Sequence, residues 1–175
     1  MPEADLPGWT RPDLEGELAR GDVRDILIHP DPRLHQRCEP AGSVSGQELR
    51  TLTADLLATM YEAGGRGLAA PQIGVMLRAF VMDAHWKEGR PDPQVMLDPE
   101  ILSRSVEEVA AVEQCLSIPD QPVEVLRSAS IAIAWYDLDG HHHERTLSGI
   151  EARIFQHEAD HLDGRLIVDP VDGAE

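Results

Sequence analysis

The stretch "QHEADHLDG", residues 156–164, sets His157, Glu158 and His161 in the pattern H-E-x-x-H. On a helix, histidines at i and i+4 project from one face and can share a metal. The glutamate lies about 100° around from His157, beside the metal rather than on it, where it can take a proton from a bound water. A helix is expected here because Ser148 and Glu151 have capping-box spacing and Gly164 suits the C′ position. Ile150 and Ile154 fall on the His157 face, which suggests a partly buried site. The competing reading is a surface helix with coincidental histidines, since a chance match in a chain of this composition is on the order of a few per cent.

Outward from this helix, "SGQELRTLTADLLATMYEAGG" predicts a second, earlier one. Ser45 and Glu48 again have capping-box spacing, Leu49, Leu52, Leu56 and Met60 repeat at helical intervals, and Gly64 and Gly65 stop the pattern. Between the two helices lie a Gly-rich loop, "GGRGLAAPQIG", a strand, "RAFVMD", a polar loop over 84–94, and short apolar runs broken by proline and charge. "SIAIAWY" alternates as a strand does, with a turn at Asp139-Gly140. Strands gathered between two capped helices predict an α+β fold. Residues 1–22 read as a loosely held acidic arm, 23–170 as a single domain and 171–175 as a short acidic tail.

The chain's 175 residues suffice to bury roughly two-thirds of the unfolded surface. Its formal charge of −17 argues against stable nucleic-acid binding or attachment to anionic membrane, and at most a transient encounter with a ribosome is expected. No apolar run has the length of a membrane span and the N-terminus has no signal-peptide pattern, so a cytoplasmic location is expected. Cys38 and Cys115 are too few for a disulfide framework.

Two imidazoles do not complete a metal site. Three protein ligands with one open position is the catalytic arrangement, and the third donor could be a distant Glu, one of His141–His143, Cys38 or Cys115. The long zincin pattern fails because Arg165, Leu166 and Ile167 follow Gly164. "HHH" after a hairpin turn reads as a solvated loop.

Three segments in order, "GRGLAAPQ" at 65–72, "EQCLS" at 113–117 and "QHEADHLDG" at 156–164, resemble the signature of the peptide deformylases, and "ILIHPDPRL" resembles the family's entry segment. The similarity runs from Val23 to Pro170. It implies mixed or antiparallel sheets packed around a central helix carrying H-E-x-x-H, with Cys115 as the third ligand beside His157 and His161. It also implies hydrolysis of the formyl group of N-formylmethionyl nascent peptides, with Glu158 as proton carrier and the Gln72 amide and Leu116 N–H serving the oxyanion. The expected metal is Fe²⁺, with Zn²⁺, Ni²⁺ or Co²⁺ also compatible with one thiolate and two imidazoles.

A peptide could lie as an extra strand along backbone at Gly65, Arg66, Gly67 and Leu68, where glycine leaves room. Ile150 and Ile154 could line a pocket for methionine or serve as plain core. Gln114 departs from the family, which has glycine between the Glu and the Cys, so its side chain could contact the substrate. A weakly active relative and an H-E-x-x-H metallopeptidase are the alternative functions.

Overall fold

The computed structural model describes residues 9–170. Seven strands and two long helices follow in chain order: α1 (Gly46–Glu62), β1 (Gly67–Ala69), β2 (Ala79–Met82), β3 (Gln94–Arg104), β4 (Glu108–Cys115), β5 (Ile118–Ser128), β6 (Ser130–Tyr136), β7 (His142–Ser148) and α2 (Gly149–Leu162). An antiparallel sheet of order β1-β2-β3-β6-β7 forms the centre, and β4 and β5 make a separate two-stranded hairpin. This is the α+β architecture that the sequence predicts.

The period of two along β2 explains the layering. Ala79 and Val81 join Leu56, Leu57 and Met60 of α1 in one core, whereas Phe80 and Met82 join Phe155, Ala152 and Leu162 of α2 in the other. The central sheet therefore separates the two helices, and β2 is buried along its whole length. Pro99 sits in β3 without breaking it because the register with β6 slips between Leu97 and Glu100. At that irregularity the Asp98 carboxylate accepts the N–H groups of Ala41 and Gly42 at 2.7 and 3.0 Å.

Helix α1 has the expected capping box: the Ser45 hydroxyl accepts from Glu48 N–H at 3.2 Å and the Glu48 carboxylate accepts from Ser45 N–H at 3.0 Å. Its counterpart on α2 does not form. Ser148 is the last residue of β7, extended and still paired with Ser130, and its side chain makes no cap hydrogen bond. The chain turns into α2 at Gly149, whose φ is +58°. The far end of α2 is as expected: Gly164 N–H donates to His161 C=O at 3.1 Å and Arg165 N–H to Asp160 C=O at 2.9 Å, a Schellman closure.

Residues 9–22, expected as a loose arm, lie against α1 where they are described; the arm's residues 1–8 and the tail 171–175 fall outside the described residues. Trp9, Leu14 and Leu18 pack on the α1 core, and Asp22 N–H donates to Asp55 at 2.8 Å. The stretch 84–94, expected as a polar loop, contributes Trp86 to the same core at 1% exposure.

Gly164 carries two constraints together. Its φ is +72°, and a Cβ there would stand 2.5 Å from the His35 carbonyl oxygen. Gly164→Ala should therefore cost about 2 kcal/mol or more of stability, read as a lowered denaturation midpoint. A midpoint equal to wild type would show that the 35–36 segment gives way freely.

Candidate active site

Three elements bring the donors together. Cys115 ends β4 and pairs with Ile118 at the start of β5, so the thiol sits beside the two-residue turn Leu116-Ser117. His157 and His161 are on one face of α2. One donor atom each from Cys115, His157 and His161 lies within 4.8 Å of the others, and Cys115 Sγ is 3.4 Å from His161 Nε2. The other cysteine takes no part: Cys38 is buried in the α2-side core, and burial pushes its thiol up to about 11.

A buried carboxylate orients this group. Glu113 Oε1 accepts from His157 Nδ1 at 2.9 Å, which leaves Nε2 of that ring as the lone-pair donor. The same carboxylate takes a two-pronged contact from Arg127 Nε and Nη2, both 2.8 Å, and a third from Arg153 Nη1 at 2.6 Å. Arg127 also donates to Asp160 of α2 at 2.6 Å. Burial would raise the Glu113 pKa, but Arg127 and His157 overcome it and hold the carboxyl far below the usual range. Burial lowers His161 well below an ordinary imidazole, which keeps it in the neutral form that ligates.

Glu158 stands beside the three donors, 4% exposed, with Oε1 3.8 Å from His157 Nε2. Its Oε2 is buried with no hydrogen-bond partner among the described residues, and burial raises its pKa to about 7. A thiolate, two imidazoles and a partnerless carboxylate oxygen at their side suit a cation carrying a water. The residues fit the group.

Gln72 is fixed at both ends of its amide. Its Oε1 accepts from Ala69 N–H at 3.0 Å, and its Nε2 donates to Ser117 Oγ at 3.1 Å and faces Cys115 Sγ at 3.7 Å. The extended entry segment ties these pieces together: Leu27 N–H donates to Gln72 C=O at 2.7 Å and His29 N–H to Ser117 C=O at 2.8 Å.

A cleft of about 570 Å³ opens over the site, lined by Gly65, Arg66, Gly67, Gln72, Gln114, Cys115, Leu116, Ile150, Ile154, His157 and Glu158 among others. Leu68 differs: its side chain is fully buried in the α1 core, so only its backbone is available to a ligand. His161 is buried behind the other ligands at 1% exposure. Ile150 is 41% exposed on the cleft wall, whereas Ile154 is half-buried and also packs on the core beneath. Arg66 is turned outward to the Ala84 carbonyl and Glu88.

The glycines have a reason beyond room for a peptide. A Cβ at Gly67 would stand 2.8 Å from Glu158 Oε1, and one at Gly65 would stand 2.8 Å from Leu116 Cδ1. His141 and His143 are away from this site, beside Asp137 at the β6–β7 turn. Sequence reasoning missed Ser117, Asp160 and Arg153. The last, four residues before His157, carried a helical-spacing signal.

The chain matches the family model described as "Polypeptide deformylase" over residues 23–175. The chain belongs to the polypeptide deformylase family. The peptide deformylase of Afipia carboxidovorans is 45% identical over 148 residues, covering 84% of this chain and 85% of the relative. The crystal structure of peptide deformylase from Thermotoga maritima superposes with a TM-score of 0.79 at 38% identity, covering 86% of this chain and 99% of that one. A Met-Ala-Ser-bound deformylase from Acinetobacter baumannii has a TM-score of 0.78 at 32% identity, covering 84% and 97%. As a family member the chain is a hydrolase that removes N-terminal formyl groups from peptides.

Glu113→Gln should weaken metal affinity by roughly 10- to 100-fold, because the amide is a poorer acceptor for His157, takes the countercharge from Arg153 and leaves Arg127 with Asp160 alone. Competition with a chelator measures this, and unchanged affinity would show His157 to be oriented by other groups. The sign with pH also follows. A carboxyl depressed on folding contributes stability above its ordinary value of 4.5 and loses it as pH falls toward the folded value. The stability gap between wild type and Glu113→Gln should therefore narrow on acidification below about pH 4.5.

Proposed function

We propose that Cys115, His157 and His161 hold one divalent metal, and that Glu158 moves the protons by which this chain hydrolyses the N-terminal formyl group of formyl-methionyl peptides. The observation that carries the reading is the convergence of the three donor atoms within 4.8 Å beside a buried Glu158 oxygen with no partner among the described residues. When bound, the metal supplies Lewis acidity and lowers the pKa of a water, so that a nucleophile exists near neutrality.

The chain's own groups do the rest. Glu158 accepts the water's proton and delivers it to the departing amine as the formyl C–N bond breaks, giving formate and a free N-terminus. Burial raises the Glu158 carboxyl and so makes it a stronger proton acceptor than an exposed glutamate. Gln72 Nε2 and the Leu116 N–H donate to the carbonyl oxygen as it gains charge. The amide of Gln72 is held at its other end by Ala69 N–H and so reorganises little during reaction.

The peptide enters as an extended strand along β1, which lies at the edge of the central sheet and among the described residues pairs only with β2. Ile150 and Ile154 receive the methionine side chain, and Gln114 meets the residues after it. The Met-Ala-Ser peptide named for the Acinetobacter structure supports a ligand of this length and first residue. Fe²⁺ is the metal of this reading, and Zn²⁺, Ni²⁺ or Co²⁺ can occupy the same donors. The substrate is a nascent peptide met in the cytoplasm, with any ribosome contact transient because the formal charge of −17 opposes approach to RNA. No helix among the described residues is long and apolar enough to cross a membrane.

Cys115→Ala should lose the metal by elemental analysis, whereas Glu158→Ala should keep it and lose turnover. Metal loss in the second variant would make Glu158 a ligand. Gln72→Ala should lower kcat on formyl-Met-Ala-Ser by roughly a hundredfold or more. An unformylated Met-Ala-Ser control separates this activity from peptide-bond cleavage: free alanyl-serine in that control would establish a peptidase.

A further inference from the structure

The family match begins at residue 23, yet residues before it reach the rim of the cleft. Trp9 packs edge-on against Trp86 with ring centroids 4.5 Å apart, and Trp86 packs in turn on Tyr61 at 5.1 Å. The indole N–H of Trp86 donates to Gly65 C=O at 2.9 Å, so this aromatic group braces the strand entry that lines the cleft. Trp9 also touches Gly64, where an added Cβ would meet its ring at 3.3 Å.

Lys87 is what this aromatic group holds. Its ammonium lies 5.0 Å from the Trp9 ring centre and 5.6 Å from that of Trp86, within cation–π range of both, while the residue lines the cleft. The other cations on the cleft wall are engaged. Arg66 is taken by Glu88 at 2.7 and 3.0 Å, and Arg153 by Glu113 at 2.6 Å. Lys87 has no carboxylate within 4.0 Å among the described residues. Burial and the neighbouring Arg66 draw its pKa below that of a free lysine, with Glu88 opposing them in part. Asp120, from β5, lines the same cleft and makes its charge uneven: cationic on the Lys87 side, acidic on the hairpin side.

We propose that Trp9 and Trp86 position Lys87 to select formyl-methionyl peptides carrying a carboxylate side chain downstream of the methionine. The inference rests on the cleft being the peptide site. Lys87 is the specificity-determining residue, and Trp9, from outside the matched region, is a positioning residue acting through it. A held ammonium has lost its side-chain freedom beforehand, so pairing with a carboxylate costs less than for a mobile surface lysine.

The test uses the metal-loaded full chain and C-terminally amidated peptides, so that the only carboxylate is the one introduced: formyl-Met-Ala-Glu, formyl-Met-Glu-Ala and their lysine counterparts. For at least one position the Glu/Lys ratio of kcat/KM should be about threefold or more and should shrink as salt is raised. Lys87→Gln should bring that ratio close to one. Trp9→Ala should lower it partway, and Trp9→Phe, which keeps a ring, should restore most of the loss.

A wild-type ratio near one at both positions, or a ratio untouched by Lys87→Gln, overturns the selection. A ratio untouched by Trp9→Ala overturns the role of Trp9. Calorimetric binding of the unformylated peptides reads the same ratio without turnover. Failure of formyl-Met-Ala-Ser hydrolysis would thus count against the catalytic reading, and loss of the binding ratio against this one.

Discussion

The Glu113 carboxylate is the point on which the site depends. It belongs to β4, but its three partners come from two other elements: Arg127 on the paired strand β5, and Arg153 and His157 on α2. Further bonds tie the hairpin to α2: Arg153 donates to the Val109 and Val125 carbonyls at 2.6 and 3.1 Å, and the Gln156 amide bonds the Ser128 backbone. Glu113, 6% exposed and bonded to two guanidinium groups and an imidazole, adds the charged contact that joins β4, β5 and α2 at the site. Cys115, two residues further along β4, then falls beside His161. Removing the carboxylate would leave Arg127 with Asp160 alone and deprive Arg153 of its countercharge, so charge balance and side-chain geometry are linked here.

Two helices and an edge strand supply the remaining constraints. The central sheet keeps α1 and α2 apart, so α2 can turn its polar His157, Glu158 and His161 face to the hairpin while Phe155 and Ala152 stay in the core. Close approaches do the fine positioning. Gly67 admits the Glu158 carboxylate against β1, and the entry segment at Leu27 and His29 holds the Gln72 loop and the Leu116-Ser117 turn in fixed relation.

What the sequence disclosed was what has a period or a spacing. The H-E-x-x-H helix, the Ser45 capping box, the alternation of β6 and the αL residue at Gly164 are local patterns, and the structure has each of them. The three family motifs singled out Cys115, which residue chemistry alone left level with several other donors. The features it hid are contacts between distant residues. Ser148 stands at the N-cap, where its spacing from Glu151 predicts it, but its side chain makes no cap hydrogen bond. Trp86 looked like part of a polar loop because its neighbours are charged, and only the packing of Trp9 and Tyr61 explains its burial. Ser117 and Asp160 lie inside two of those motifs, but no spacing marked their roles, which rest on what they touch: the Gln72 amide and the Arg127 guanidinium.

The β1 edge of the central sheet has a meaning beyond the proposed substrate docking. An unpaired strand is ordinarily a hazard, because it offers its backbone to any other strand and invites aggregation. Here that edge is three residues long and opens into a cleft of about 570 Å³ rather than onto an open face. A single chain end in extended form can enter and pair with it, but the edge of another folded sheet cannot. On the proposed peptide path, that brevity suits an N-terminus still in extended form, which ties one short strand to the moment in a polypeptide's life when this chemistry acts.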